Sequence, residues 1–218
     1  MILIAVALGL RHGLNLDHLA TIDAITRTMR ENRVVSKLSG FLFSLGHGVI
    51  VTAVSVIIGA GLIESHIPEW LEGFGVGVSI FFLFLFGILN LWNSLQKTPS
   101  NVPKGVQSYL VQKVIGKKLS PAMVLGIGAL FAFSFDTFSQ ISLFSISVTL
   151  MSGWLFSGLL GVMFTLGMMI TDGFNGLFVS AIIQKANKKS QILSRLLGLA
   201  VAVFSIGIGI NSLMKLFK

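Results

Sequence analysis

Six apolar stretches constrain this chain more than any other feature. They cover residues 3–26, 38–62, 73–94, 121–150, 154–184 and 192–214, with short charged segments between them. Each is at least as long as the ~20 residues that a helix needs to cross a bilayer core. Of the 218 residues, 54% are hydrophobic and 11% are charged, where a soluble domain carries about 25% charged residues. The 18 Phe and 24 Gly suit helices packed in lipid, because glycine lets two backbones approach closely. The absence of cysteine excludes disulfides and thiolate metal sites. These features predict an all-α transmembrane fold, a bundle of six helices.

The first stretch is expected to stay in the protein as a span. It lacks the basic n-region of a cleaved leader and carries Arg11, His12, Asp17, His18 and Asp23 within its apolar run. A net charge of +8 would point to nucleic acid in a soluble protein, but its distribution along the chain excludes that reading. Arg27, Arg30, Arg33 and Lys37 fall between the first and second stretches. Lys97, Lys104, Lys113, Lys117 and Lys118 fall between the third and fourth, and Lys185, Lys188, Lys189 and Arg195 around the last turn. Thirteen of the 16 basic residues thus lie on one side, with Glu64, Glu69 and Glu72 on the other. The positive-inside rule places the basic loops in the cytoplasm of a multi-pass cell-membrane protein, with both termini outside. Trp70, Trp92 and Trp154 fall at expected interfaces, as an aromatic belt requires.

Residues 97–118 form the longest polar connection, read as a cytoplasmic linker between two halves, 1–96 and 119–218. A short amphipathic run within it, Val106 to Ile115, either lies on the membrane surface or is solvated. Ser120 and Pro121 have the character of an N-cap and a first helical residue. The halves resemble each other. Gly9 to His18 can be laid on Gly128 to Thr137, so that Gly9 meets Gly128 and Asp17 meets Asp136. At nearly the same offset, Gly40 to His47 falls on Gly161 to Met168. Three helices per half is an odd number, so the second half enters the membrane from the opposite face. The expected architecture is therefore two three-helix inverted repeats, an arrangement that places transporter sites near the midplane.

Ionisable groups in the bilayer core cost on the order of 2.5–3.5 kcal/mol each on insertion scales and mark a pathway when they converge. At 1.5 Å of rise per residue, Asp17 and His18 fall near mid-depth of the first helix, and His47 of the second. Asp136 falls there in the fourth helix, with Met168 and Asp172 in the fifth. The third and sixth helices offer almost nothing ionisable and read as scaffold. Imidazole nitrogens suit nickel, cobalt, copper and zinc, whereas magnesium and calcium prefer oxygen shells. At ~100° per residue, His12, Asp17 and His18 cannot all face one ion from an unbroken helix. Unwinding is expected around Gly9, Gly13 and Asn15.

With the spacing His-x4-Asp-His, residues 11–18 resemble the signature of the nickel/cobalt transporter family (NiCoT). Phe43-Ser44-Leu45-Gly46-His47 resembles its second motif. Asp136-Thr137 resembles the third, and Gly167-Met168 followed by Asp172 the fourth. The resemblance implies a metal permease in which His12, Asp17, His18 and His47 take part in binding and selectivity; it implies no cofactor beyond the transported ion. Asn15, Gln140 and Asn175 stand where the family pattern has carboxylates, so the pathway carries less negative charge. Family members usually have eight helices, and six are read here.

Other readings of the same residues remain. Asp136 and Asp172 either contact the ion or hydrogen-bond to Thr137, Thr171 or freed backbone groups, and Met168 is either a ligand or packing. Asp23 and Arg27 have the i,i+4 spacing of a helical ion pair. His12-x4-Asp17 also fits an acyltransferase dyad, but no large domain outside the membrane is present to house such chemistry. A proton-coupled carrier or exporter of another solute, built on the same repeat, is the remaining alternative.

Overall fold

The computed structural model describes residues 1–29, 32–61, 69–95, 120–133, 138–149, 153–184 and 188–216, and every regular element among them is helical. In chain order these are α1 (Ile2–His12), α2 (Leu16–Thr28), α3 (Arg33–Gly59), α4 (Glu69–Leu95), α5 (Pro121–Phe131), α6 (Phe138–Thr149), α7 (Gly153–Gln184) and α8 (Lys188–Leu216). By length and composition, the helical stretches Arg33–Gly59, Gly153–Gln184 and Arg195–Lys215 are long and apolar enough to cross a membrane. The apolar stretches Ile2–His12, Gly73–Ile88 and Pro121–Phe131 are shorter.

Four of the expected spans are single helices, but the first and fourth are each divided. The first breaks at Gly13–Asn15, so two of the three residues expected to unwind do so, while Gly9 stays inside α1. Here the amides of Leu14 and Asn15 donate to the carbonyls of Arg11 and His12, at 3.1 and 3.0 Å. Such i→i+3 bonds tighten a last turn and satisfy carbonyls that a helix end would otherwise leave open. A new helix then starts at Leu16, with Asp17 Oδ1 accepting from the His18 amide at 2.9 Å. The fourth span was read as continuous and is not. Helix α5 ends at Phe131, with Ala132 sharing its amide between the carbonyls of Gly128 and Ala129. On the alignment of the two halves, His12 falls on Phe131, so both first helices stop at the same repeat position. At the start of α5, Ser120 Oγ accepts from the Met123 amide at 3.3 Å, as an N-cap does.

Contacts divide the chain into two compact units, each drawing on both halves of the sequence. The first comprises Met1–Asn15, Phe41–Ser79 and Leu125–Asp172. Its core gathers Ala5, Val51, Ala132, Leu143, Phe144, Leu160, Phe164 and Met168, all buried, and α1 packs on α6. Glycines set its closest helix approaches. A Cβ added at Gly9 would collide with the Phe164 carbonyl, and one at Gly167 with the Val6 carbonyl, so α1 and α7 cross backbone to backbone. Helices α3 and α5 cross in the same way. A Cβ at Gly46 would strike the Leu125 carbonyl, and one at Gly128 the Phe43 carbonyl.

The second unit comprises Leu16–Gly40, Ile80–Val124 and Gly173–Lys218, and in it α2 packs on α8. Small hydroxyls tie its helices together. Thr26 Oγ1 and Ser39 Oγ lie 2.6 Å apart and Ser36 Oγ and Ser180 Oγ 3.1 Å, while within α7 Gln184 Nε2 donates to Ser180 Oγ at 2.7 Å. Helices α3 and α7 approach closely enough that a Cβ at Gly176 would lie 2.9 Å from the Gly40 nitrogen. The expected ion pair forms, with Arg27 Nε and Nη2 donating to the two oxygens of Asp23 at 2.8 and 2.9 Å. The linker 97–118, with its amphipathic run, and the side chains of Trp70 and Trp92 lie outside what is described; Trp154 is exposed.

Candidate metal centre

The end of α1 delivers His12 to the interior of the first unit, where its side chain is buried. Gly13, the next residue, has φ of −66°, which any residue adopts. Space makes it glycine: a Cβ there would overlap Thr171 Oγ1 and lie 3.0 Å from both Asp172 Oδ1 and the Met168 carbonyl. The break in the first span is thus pressed directly against α7 at Asp172.

Helix α3 brings Ser44 and His47 into the same unit, and they share a face because they are three apart. His47 is buried and its Nε2 lies 3.2 Å from His12 Nε2, with the two rings tilted at 57° and their centroids 5.0 Å apart. Phe164 packs against the His12 ring at 5.2 Å, and Phe43 against the His47 ring at 6.2 Å. On its other side, His12 Nδ1 meets Asn15 Nδ2 at 3.3 Å. Ser44 Oγ donates to Asp172 Oδ2 at 2.6 Å, and both residues are fully buried. The first unit therefore holds two imidazoles with facing ring nitrogens and a carboxyl fixed by a hydroxyl.

Of the residues expected from sequence, His12, His47 and Asp172 belong to this unit. Asp17 and His18 belong to the second, where His18 is buried and Asp17, partly buried in the first turn of α2, accepts from the His18 amide. Asp136 lies outside the described residues. Met168 sits in the apolar core of the first unit, which is the packing reading of that residue. Sequence reasoning put Asp172 beside Thr137, Thr171 or free backbone and missed Ser44 as its donor. The available signal was the i,i+3 relation of Ser44 to His47. The role of Gln140 was also missed: its Nε2 donates to the Ala132 carbonyl at 3.1 Å, just past the end of α5.

Two facing, buried imidazoles beside a buried carboxyl have the chemistry of a transition-metal site. A sequence model of the NicO family, described as high-affinity nickel-transport protein, matches residues 1–216. This chain belongs to that family. Among curated relatives, the nickel transporter NixA of Staphylococcus aureus is 31% identical over 199 residues, covering 80% of this chain and 59% of the relative. The nickel transporter NicT of Mycobacterium tuberculosis is 29% identical over 207 residues, covering 82% of this chain and 56% of the relative. The cobalt transport protein NhlF of Rhodococcus rhodochrous is 27% identical over 207 residues, with 81% and 58% covered. The chain spans about half the length of the curated relatives it matches. No solved structure matches it. Family membership and long apolar helices together make this a multi-pass membrane protein.

Proposed function

We propose that this NicO-family chain is a permease for divalent transition-metal ions, nickel or cobalt, and that the ion is received between His12 and His47. The observation that carries this reading is the 3.2 Å between their Nε2 atoms. Two imidazole nitrogens, each about 2.1 Å from one ion, lie about 3.0–3.4 Å apart at bond angles near 90–110°. The pair is therefore already spaced as two neighbouring ligands of one metal. Nitrogen donors favour nickel and cobalt over magnesium and calcium, and the names of the relatives point to the same two ions. Asp172, fixed by Ser44, supplies a carboxyl from α7. Asp17, His18 and Asp136 complete the proposed pathway on the strength of the sequence motifs, and burial of His18 agrees with such a role. In place of an acyltransferase dyad, the His12 ring nitrogens lie against His47 and Asn15. The family is one of transporters.

The frame we propose for this site is a pair of inverted three-helix repeats, 1–96 and 119–218, joined by a cytoplasmic linker and inserted with both ends of the sequence outside. Two features support the repeat. Both first helices break at equivalent positions, and the glycine crossings are matched. Gly9 and Gly128 are equivalent, as are Gly46 and Gly167, and each makes a backbone-to-backbone approach in a crossing between the halves, α1 with α7 and α5 with α3.

The test is metal flux into proteoliposomes containing the full chain, nickel and cobalt against zinc and magnesium. Saturable nickel or cobalt flux, lost in both His12→Ala and His47→Ala, is the expected result. Folded protein that moves none of these metals, or variants that transport as well as the parent, would overturn the assignment. Because a metal takes only the unprotonated imidazole, apparent nickel affinity is also expected to fall as pH is lowered through about 8 to 5. Affinity that stays flat over that range would exclude histidine ligation.

A further inference from the structure

Three amides occupy positions where the family resemblance places carboxylates; in two of them the NH2 group donates to a carbonyl, and in the third it faces a histidine ring nitrogen. Gln140 Nε2 donates to the Ala132 carbonyl at 3.1 Å, and Asn175 Nδ2 faces the Leu19 carbonyl at 3.5 Å. A carbonyl only accepts, so an ionised carboxylate cannot serve in either place. Asn15 differs from both, because its partner is a ring nitrogen, His12 Nδ1, at 3.3 Å. A neutral imidazole carries its proton on one nitrogen and accepts on the other, and the group facing one nitrogen fixes which.

We propose that Asn15 is a positioning residue that sets the tautomer of His12 and, by turning its amide over, switches the histidine pair between a latched state and a metal-receiving state. In the latched state, Asn15 Nδ2, 3.3 Å from His12 Nδ1, donates to it. The ring proton is then on Nε2, and it is donated across the 3.2 Å to His47 Nε2. One proton thus occupies the space between the two nitrogens, and His12 offers no lone pair there. A half-turn of the Asn15 amide presents Oδ1, which accepts from an Nδ1–H. Water takes the proton from Nε2 and supplies one at Nδ1, so the ring stays neutral and the net proton count is unchanged. Both Nε2 lone pairs then face a common point at ligand spacing. An aspartate at residue 15 only accepts and would hold the metal-receiving tautomer permanently. The amide consequently weakens ion capture and eases release. Asn15 is partly buried in the break between α1 and α2.

This inference rests on the metal-site reading, and the experiment separates the two. The full chain, labelled with 15N-histidine and held metal-free in lipid nanodiscs, reports the protonated nitrogen of each ring by its 15N shift. The His12 signals are assigned by their loss in His12→Gln. The expected result is an Nε2–H tautomer at His12 in the parent and an Nδ1–H tautomer in the nearly isosteric Asn15→Asp. Nickel binding to the same preparations should tighten about tenfold in Asn15→Asp and weaken about tenfold in Asn15→Leu, as changes in a ligand's hydrogen-bond partner do. In transport, Asn15→Asp should lower KM and maximal rate together. An Nδ1–H tautomer in the parent, or one tautomer shared by all three proteins, overturns the proposal. So does a change in nickel affinity of the same sign in both variants. If the parent binds no nickel, the metal-site reading fails by itself, while the metal-free spectra still decide what Asn15 does.

Discussion

Burial makes the polar groups of this chain sensitive to single-atom changes, and Gln140 shows it most directly. Its side chain is fully buried and its Nε2 supplies a hydrogen to the Ala132 carbonyl beyond α5. Gln140→Glu keeps the shape of the side chain and removes that donor. It leaves a buried carbonyl facing a carboxyl oxygen, and an unsatisfied buried polar group costs about 1–3 kcal/mol. The thermal transition of the purified protein should fall, and Gln140→Met, which removes the donor without introducing a second oxygen, should fall less. Equal melting of Gln140→Glu and the parent would show that the carboxyl binds a proton and donates in the amide's place. The Ser44–Asp172 pair responds in the same manner. Ser44→Ala withdraws the hydroxyl that approaches Asp172 Oδ2 at 2.6 Å, so a loss of about 1–3 kcal/mol is expected, read as a lower thermal transition.

At the scale of helices, glycine decides which surfaces meet. Gly126 and Gly128 lie two residues apart on α5 with opposite surroundings. Nothing lies within 4 Å of a Cβ placed at Gly126, whereas one at Gly128 collides with the Phe43 carbonyl and lies 3.1 Å from the His47 nitrogen. Gly126→Ala should therefore leave stability unchanged or raise it by about 0.5–1 kcal/mol, through the backbone entropy that glycine loses on folding. Gly128→Ala must push α3 and α5 apart, at about 1–3 kcal/mol. It also moves His47, so nickel binding should weaken with it. Comparable melting of the two variants would place α5 away from α3. Much of this scale was legible in sequence. A break in the first helix was expected from the angular separation of His12, Asp17 and His18, and it is present at Gly13–Asn15. No such trio occupies the fourth span, so its break carried no local signal. Only the repeat alignment, which places Phe131 opposite His12, held that information. The glycines were legible as small residues, but which backbone each one meets depends on helix pairings that no local pattern encodes.

For the molecule as a whole, the surface and the charge distribution have to be satisfied together. Leu3, Leu155 and Phe174 are among many large apolar side chains left exposed, at 83%, 69% and 68%. Soluble proteins rarely leave apolar surface uncovered in contiguous patches, and a bilayer covers it without further cost. Twelve of the 16 basic residues lie in the segments between the first and second, third and fourth, and fifth and sixth apolar stretches, and Arg195 lies just past the last of these segments. These three connections share one side of the membrane if each stretch crosses once. The chain contains no cysteine, so a single introduced thiol reports its own location without further engineering. Lys104→Cys, in the basic linker, is expected to react with a membrane-impermeant maleimide only from the cytoplasmic face, in inside-out vesicles. Glu64→Cys, in the acidic connection, should react only in right-side-out cells. Opposite labelling fixes an odd number of crossings between residues 64 and 104, so the third stretch crosses the membrane. Labelling of both from one face would require an even number. The two halves would then no longer be forced into opposite orientations, and matched glycines at the two crossings would need an explanation other than an inverted repeat.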